Sequence, residues 1–239
     1  MRTREIEYED NGVPLSGFLA DGSNGAPAPG ILVVHQGNGL SGHTRERAIM
    51  LAELGYVAFA ADLYGERPSE RARINALIDK FSADQGLLLR RSRAGLDMLK
   101  VEANVDLQRL GAIGHCFGGA VVLEMARAFP ELACVVAFHP GLTGLAERDE
   151  RPVHAKVMVC AGADDPLIPS DARARFIQLM DAAGADWQLI VYGGAGHSFS
   201  DRDIDALGIE NFTYHAPTDR RSWAAMRDLF EETFDAASG

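Results

Sequence analysis

The chain has 239 residues, of which 47% are hydrophobic and 24% are charged, and this composition excludes intrinsic disorder and collagen-like structure. The formal net charge is −11 at pH 7, so the chain repels phosphate backbones and we expect no nucleic acid among its partners. No window approaches the roughly 18 uninterrupted apolar residues of a membrane-spanning helix, so no membrane contact is expected.

The N-terminus and the cysteine count both bear on cellular location. Residues 1–10 read MRTREIEYED, which lacks the apolar stretch of a signal peptide. The three cysteines, Cys116, Cys134 and Cys160, are an odd number and lie too far apart for a metal-binding knuckle. These features predict a cytoplasmic protein with reduced cysteines.

Strand-like and helix-like segments alternate along the chain. Thr3–Glu9 and Val13–Ala20 alternate polar and apolar residues around Asn11-Gly12, a pattern that predicts a β-hairpin. Continuous apolar runs predict buried strands at Ile31–His35, Val57–Ala61, Leu110–Gly114, Cys134–Phe138, Val157–Ala161 and Gln188–Tyr192. Amphipathic segments predict helices at Thr44–Leu54, Ala83–Lys100, Gly119–Ala128, Asp171–Ala183 and Asp219–Phe234. We therefore expect one α/β domain over residues 1–239, with a mostly parallel central sheet and helices on both faces.

Titratable side chains cluster where the predicted strands end. In a parallel α/β sheet, ligands bind outside the carboxyl ends of the strands. The segments at those ends are His35-Gln36-Gly37, Asp62–Gly65, Gly114-His115-Cys116, His139-Pro140, Gly162–Asp165 and Gly194–His197. The sequence therefore predicts a functional site along this edge of the sheet.

One strand-to-helix junction carries a nucleophile motif. Residues 114–118 read GHCFG, which is the G-x-S-x-G pattern with Cys116 in the serine position. Random order of these residues would produce only about 0.03 such matches in the whole chain. The pattern predicts a strained turn that exposes Cys116, directs the Phe117 backbone N–H at a developing oxyanion, and lowers the pKa of the thiol at a helix start. The alternative is a buried structural cysteine beside a tight turn.

The other members of a triad are expected downstream, in the order acid and then histidine. Asp164 and Asp165 follow a predicted strand, and we favour Asp165 as the acid, with Asp164 as a helix-cap or loop residue. His197 lies on a glycine-rich loop directly after the next strand, although an isolated loop histidine is more often a surface residue. In this interpretation His197 accepts the thiol proton and later protonates the leaving group, while Asp165 holds its tautomer.

Four segments together resemble the dienelactone hydrolase family, a branch of the α/β-hydrolase fold with a cysteine nucleophile. They read LAELGYVAFAADLYG (51–65), GHCFGG (114–119), GADDPLIP (162–169) and GAGHSF (194–199), and the resemblance extends over nearly the whole chain. It implies a triad of Cys116, Asp165 and His197 that cleaves a small-molecule lactone or ester through a thioester acyl-enzyme. It further implies no cofactor, no metal, and an activity of the carboxymethylenebutenolidase class.

Two positions depart from the family pattern. The family's glutamate, which helps to control ionisation of the resting cysteine, is replaced by Gln36, whose amide takes no proton. The Gly37 backbone N–H remains available as the second oxyanion donor. The family's carboxylate-binding arginine, four residues past the histidine, is replaced by Asp201, with Arg202 beside it. The segment that could supply a second arginine for an anionic substrate contains Arg67, Arg71 and Arg73.

The remaining candidate residues each have a functional and a structural interpretation. The substrate-pocket candidates are Gln36, Tyr64, Phe199 and Arg202, although the aromatic members fit a packed core equally well. Three histidines at strand ends, His35, His115 and His139, suit a metal site, but we favour satisfied residues in the wall of the active site. A non-catalytic small-molecule-binding protein on a hydrolase scaffold is the main functional alternative, and the oligomeric state is left open.

Overall fold

The computed structural model describes residues 1–142 and 152–235. Within them lie eight β-strands, six α-helices and one short 3-10 helix. The chain divides into two compact units, residues 1–113 and 114–239, and one strand, β5, runs from the first unit into the second. The single domain expected from the sequence stays a prediction.

The first unit begins with an antiparallel hairpin and continues as a parallel sheet. Its strands are β1 (Arg2–Asp10), β2 (Val13–Asp21), β3 (Ala28–Val34), β4 (Val57–Ala61) and β5 (Val105–His115). Their order is β1-β2-β4-β3-β5, in which β2 pairs antiparallel with β4, and β4 pairs parallel with β3. Its helices are α1 (Gly42–Glu53), α2 (Arg71–Ala83) and α3 (Gln85–Lys100). The hairpin turn holds Asn11 and Gly12 at positive φ, as a two-residue loop of this kind requires.

The second unit continues the strand–helix alternation. It contains α4 (Phe117–Ala128), β6 (Leu132–Phe138), β7 (Lys156–Gly162), α5 (Ser170–Ala182), β8 (Trp187–Tyr192), the 3-10 helix Ile204–Leu207 and α6 (Ala216–Asp235). The end of β5 is followed in the sheet by β6, β7 and β8, and these last three strands pair in parallel. Helix α6 packs on β6 and β7 through the buried side chains of Met226, Leu229 and Phe230.

The predicted α/β class is confirmed, and every predicted strand and helix has its counterpart. Helix α2 was missed, because only Leu77 and Phe81 of its thirteen residues are buried and so short a stripe gives little periodic signal. The helix predicted at Ala83–Lys100 begins two residues later, since the Asp84 carboxylate caps α3 by accepting the Leu87 N–H at 2.9 Å.

Strand β8 departs from the expectation of complete burial. It is the last strand in the order, and four of its six residues are half-buried while the other two are exposed. Val191, for example, is 43% exposed. A short apolar run alone does not distinguish such an edge strand from a central one. None of the helices in the two described ranges combines the length and apolarity needed to cross a membrane.

Candidate active site

Cys116 lies in a strained turn between β5 and α4. Its φ of 53° is rare for a residue with a side chain, and helix α4 begins at the next residue. A Cβ at Gly114 would lie 2.0 Å from the carbonyl oxygen of Gly118, and one at Gly119 would lie 3.0 Å from the Cβ of Pro140. No side chain fits at Gly114, so this glycine allows β5 and α4 to meet closely around Cys116, while Gly119 lies against Pro140.

Accessibility separates Cys116 from the other two cysteines. All three are free thiols, but Cys134 and Cys160 are completely buried while Cys116 is partly exposed. Burial raises the pKa of both Cys134 and Cys160 to about 12, so these thiols remain protonated and unreactive near neutral pH. A reagent that attacks thiolates therefore reports on Cys116.

Asp165, His197 and Cys116 form a continuous line of contacts. The Asp165 Oδ2 atom lies 2.8 Å from His197 Nδ1, and His197 Nε2 lies 3.1 Å from Cys116 Sγ. The second carboxylate oxygen of Asp165 accepts the Leu167 N–H at 2.8 Å, which fixes the carboxylate against the turn. A carboxylate accepts hydrogen bonds, so His197 carries a proton on Nδ1 and presents Nε2 to the thiol.

The structure distinguishes the two neighbouring aspartates. Asp165 is 3% exposed and points at His197, whereas the Asp164 side chain is exposed. The Asp164 backbone N–H donates to the Ala195 carbonyl at 3.0 Å, so its contribution to this region comes from the main chain.

The loop that carries His197 approaches its neighbours at backbone distance. A Cβ at Gly162 would lie 2.3 Å from the Ala195 carbonyl oxygen, and one at Gly196 would lie 2.3 Å from the Asn211 carbonyl oxygen. Glycine at both positions therefore lets the end of β7 and the segment around Asn211 enclose the histidine loop.

The segment Asn211–Thr213 binds the main chain of His197. The His197 N–H donates to the Asn211 carbonyl at 2.8 Å, and the Thr213 N–H donates to the His197 carbonyl at 3.2 Å. The Phe212 ring also lies 4.6 Å from the imidazole, centroid to centroid. The sequence interpretation missed this segment, because its hydrogen bonds are made by the main chain and leave no side-chain motif.

The electrostatics of His197 depend on its two partners. Burial opposes a charged imidazole and lowers the pKa, but the negative charge of the Cys116 thiolate and the hydrogen bonds to Asp165 and Cys116 outweigh burial. Together, these interactions with Cys116 and Asp165 raise the pKa of His197 to about 10. A histidine with a raised pKa beside a thiol favours a thiolate–imidazolium pair, which is the state in which a cysteine attacks most readily.

The three histidines considered for a metal site have other surroundings. In the first unit, His35 Nδ1 donates to the Gln36 carbonyl at 2.7 Å and its Nε2 accepts the Leu63 N–H at 3.2 Å, while burial lowers its pKa. In the second unit, the His115 ring stacks on Phe138 at 4.6 Å, and His139 contacts the nucleophile turn. Among residues 1–142 and 152–235, no group of three or more potential ligands is arranged to hold a metal ion.

The remaining site candidates differ in exposure. In the first unit, Gln36 and Tyr64 are each 6% exposed, and a Cβ at Gly37 would lie 2.7 Å from Ile78 Cδ1. In the second unit, Phe199 is completely buried and packs beneath the site, with its ring 4.9 Å from that of His139, whereas Arg202 is exposed. Their roles toward a substrate stay predictions.

Two of the arginines suggested for binding an anion, Arg67 and Arg73, have acidic partners. Arg67 Nη1 lies 3.0 Å from the buried Asp62 carboxylate, and Arg73 forms a bidentate pair with Glu66. Asp201, which occupies the position of the family's arginine, is 7% exposed. The charges of Arg67 and Arg73 are therefore already compensated by carboxylates of the chain.

We expect the reactivity of Cys116 to show the ion pair directly. Because the pKa of His197 lies near 10 when the thiolate is present, the pair keeps its charges through neutral pH and loses the imidazolium proton only as the pH approaches 10. Alkylation by iodoacetamide should therefore vary much less between neutral pH and about pH 9 than it does for an ordinary thiol. In His197→Ala the rate should rise roughly tenfold per pH unit below about 8.5, as for an ordinary thiol.

The control is the Cys116→Ala variant, which should take up no reagent as long as it is folded. A wild-type rate that follows the profile of an ordinary thiol, with the same midpoint as His197→Ala, would contradict the ion pair.

Comparison with known proteins agrees with this architecture. The model of the dienelactone hydrolase family matches residues 15–234. A solved dienelactone hydrolase-like promiscuous phosphotriesterase from metagenomic libraries is 35% identical, with 97% of this chain and 98% of that chain covered and a TM-score of 0.93. A protein of Escherichia coli strain K12 assigned as a carboxymethylenebutenolidase is 30% identical, with 86% of this chain and 78% of that protein covered.

A further relative comes from Bradyrhizobium sp. It is named as a probable 2-oxo-3-(5-oxofuran-2-ylidene)propanoate lactonase, and it is 28% identical over 84% of this chain and 85% of its own length. The family match extends over both compact units and includes all four motifs noted in the sequence. The predicted class of enzyme, a lactone or ester hydrolase, is thereby confirmed, and the chain belongs to the dienelactone hydrolase family.

Proposed function

We propose that the protein hydrolyses a small lactone or carboxylic ester through a Cys116–His197–Asp165 triad and a thioester acyl-enzyme. The observation that carries the proposal is the line of contacts at 2.8 Å and 3.1 Å that joins the Asp165 carboxylate, both imidazole nitrogens and the thiol. A nucleophile oriented toward a base, which is itself oriented by a third group, is the arrangement that covalent acyl transfer needs.

In the acylation step the Cys116 thiolate attacks the carbonyl carbon of the substrate. A carbon–sulfur bond forms and the carbonyl electron pair moves onto oxygen, giving a tetrahedral intermediate. Its collapse expels the alcohol oxygen, which takes the proton from His197 Nε2. For a lactone, the released hydroxyl remains attached to the acyl chain, so the whole substrate is held as the thioester.

In the deacylation step a water molecule attacks the thioester carbonyl while His197 Nε2 takes its proton. The carbon–sulfur bond breaks, the carboxylic acid product leaves, and the thiolate–imidazolium pair is restored. Asp165 stabilises the imidazolium and keeps the ring orientation through both steps. Every group required is supplied by the chain, the substrate and water.

The developing oxyanion needs hydrogen-bond donors. The Phe117 N–H belongs to the first residue of α4, where the helix dipole is positive, so we assign it as one donor. The Gly37 N–H stays a prediction as the second donor. Because the Phe117 donor is a main-chain group, substitution of the Phe117 side chain would leave the donor itself in place.

We further propose that the substrate is uncharged. The replacement of the family's arginine by Asp201 and the pairing of Arg67 and Arg73 with carboxylates both support this proposal. Phosphotriesters, the substrate class named for the 35% identical relative, also carry no net charge. A neutral lactone or simple ester therefore suits this chain better than an anionic dienelactone.

The cytoplasmic location expected from the free cysteines stays a prediction.

The test compares wild type with Cys116→Ala on p-nitrophenyl acetate, a neutral aryl lactone such as dihydrocoumarin, and a dienelactone. We expect Cys116-dependent turnover of the first two, with a kcat/KM on the dienelactone at least about tenfold lower because Arg67 and Arg73 are already paired with carboxylates. A preference for the dienelactone would contradict the uncharged substrate. Absence of turnover on all three, with Cys116 still alkylated, would favour the non-catalytic binding protein.

The two neighbouring aspartates offer a matched pair of variants. Asp165→Asn should lower kcat/KM by about 100- to 10,000-fold, because an amide no longer stabilises the imidazolium and can impose the wrong tautomer. Asp164→Asn changes the same group at an exposed position and should stay within about twofold of wild type. Steady-state kinetics on p-nitrophenyl acetate measure both, and the reverse order of effects would overturn the assignment of the acid.

A further inference from the structure

His139 is a buried histidine that no step of the proposed reaction uses. It follows β6 directly, none of its surface is exposed, and its φ of 39° is positive. Its backbone N–H donates to the Cys160 carbonyl at 2.7 Å, which ties the residue to β7. Positive φ at a residue with a side chain is uncommon and concentrates at functional sites, so its side-chain contacts deserve an explanation.

The main chain of the nucleophile determines the tautomer of His139. The Cys116 backbone N–H lies 3.2 Å from His139 Nδ1 and can only donate, so Nδ1 must carry a lone pair. The single proton of the neutral ring is then on Nε2, which lies 2.7 Å from Ser200 Oγ and donates to it. A protonated His139 would lose the bond from Cys116, because Nδ1 would become a donor facing a donor.

This hydrogen bond joins two residues that both have positive φ. Cys116 has a φ of 53° and His139 a φ of 39°, and the Cys116 N–H also lies 3.0 Å from the Phe138 carbonyl. The end of β6 therefore presents two acceptors, a carbonyl and an imidazole nitrogen, to the one N–H of the nucleophile. Together they hold the main chain of Cys116 in the conformation that directs Sγ toward His197.

His139 also adjoins the catalytic base. Its ring lies 5.1 Å from the His197 ring at an interplanar angle of 70°, with Phe199 at 4.9 Å and His115 at 5.8 Å on its other sides. A second positive charge at this distance would destabilise the imidazolium of His197. A neutral ring, held neutral by the two hydrogen bonds, is compatible with the ion pair.

We infer that His139 is a positioning residue, which acts through Cys116 by accepting its backbone N–H at Nδ1 and which Ser200 anchors at Nε2. The inference rests on the proposed function, because it assigns a partner to the proposed nucleophile. It extends the site from three side chains to a second layer built from the ends of β6 and of the histidine loop.

The test uses substitutions that both tolerate positive φ. His139→Asn keeps an acceptor oxygen near the position of Nδ1, whereas His139→Gly removes the acceptor. His139→Gly should lower kcat/KM on p-nitrophenyl acetate by about 10- to 100-fold, mainly through kcat, because small displacements of a nucleophile cost rates of this order. His139→Asn should recover activity to within about fivefold of wild type.

The pH profile of Cys116 alkylation supplies a second readout that simple loss of packing would not move. In His139→Gly the midpoint should shift upward by about one pH unit or more, toward that of an ordinary thiol, because the thiolate is held less well against His197. His139→Asn should keep the wild-type midpoint. The same two substitutions at His154, an exposed histidine of the same unit, should change neither readout.

If circular dichroism shows that His139→Gly does not fold, the Ser200→Ala variant replaces it in the test. It leaves the ring in place but removes its anchor, so we expect an alkylation midpoint displaced in the same direction by a smaller amount. Equal effects of His139→Asn and His139→Gly, or a wild-type midpoint in both His139→Gly and Ser200→Ala, would overturn the inference. If wild type shows no Cys116-dependent turnover, the proposed function fails, while the alkylation profiles still decide the role of His139.

Discussion

The 3.1 Å contact between His197 Nε2 and Cys116 Sγ is the interaction on which the rest of the site depends. It brings together residues 81 positions apart in the chain, of which Cys116 follows β5 and His197 lies on the loop after β8. The contact requires main chain to approach main chain, and the glycines at 114, 162 and 196 make that approach sterically feasible. The raised pKa of His197 follows from the same closeness, since the thiolate stabilises the imidazolium at this distance.

Around this pair the chain supplies support from the main chain as much as from side chains. Asn211 and Thr213 bind the backbone of His197, and the Leu167 N–H holds the Asp165 carboxylate. The ring of His139 receives the N–H of Cys116. Each of these contacts restricts one group of the site to one orientation, which is the preorganisation that the proposed reaction needs.

Local patterns in the sequence predict the elements well, because apolar runs and glycine spacing reflect local constraints. The motif at 114–118 and the loops at 162–169 and 194–199 identified the residues that the structure brings together. The patterns do not predict helix α2, which buries only two side chains, or the exposed edge strand β8. They also do not predict the contacts of Asn211 and of His139 Nδ1, because these contacts are made with backbone groups that lie far away in the chain.

The most direct test of the account is to trap the acyl-enzyme. Wild-type protein in excess is mixed with p-nitrophenyl acetate, quenched in acid within milliseconds, digested and analysed by mass spectrometry. The account predicts an acetyl group on the peptide that contains Cys116, formed at the rate of p-nitrophenol release and absent from Cys116→Ala. Release of p-nitrophenol at the wild-type rate with Cys116 unmodified, or with the acetyl group on another residue, would contradict it.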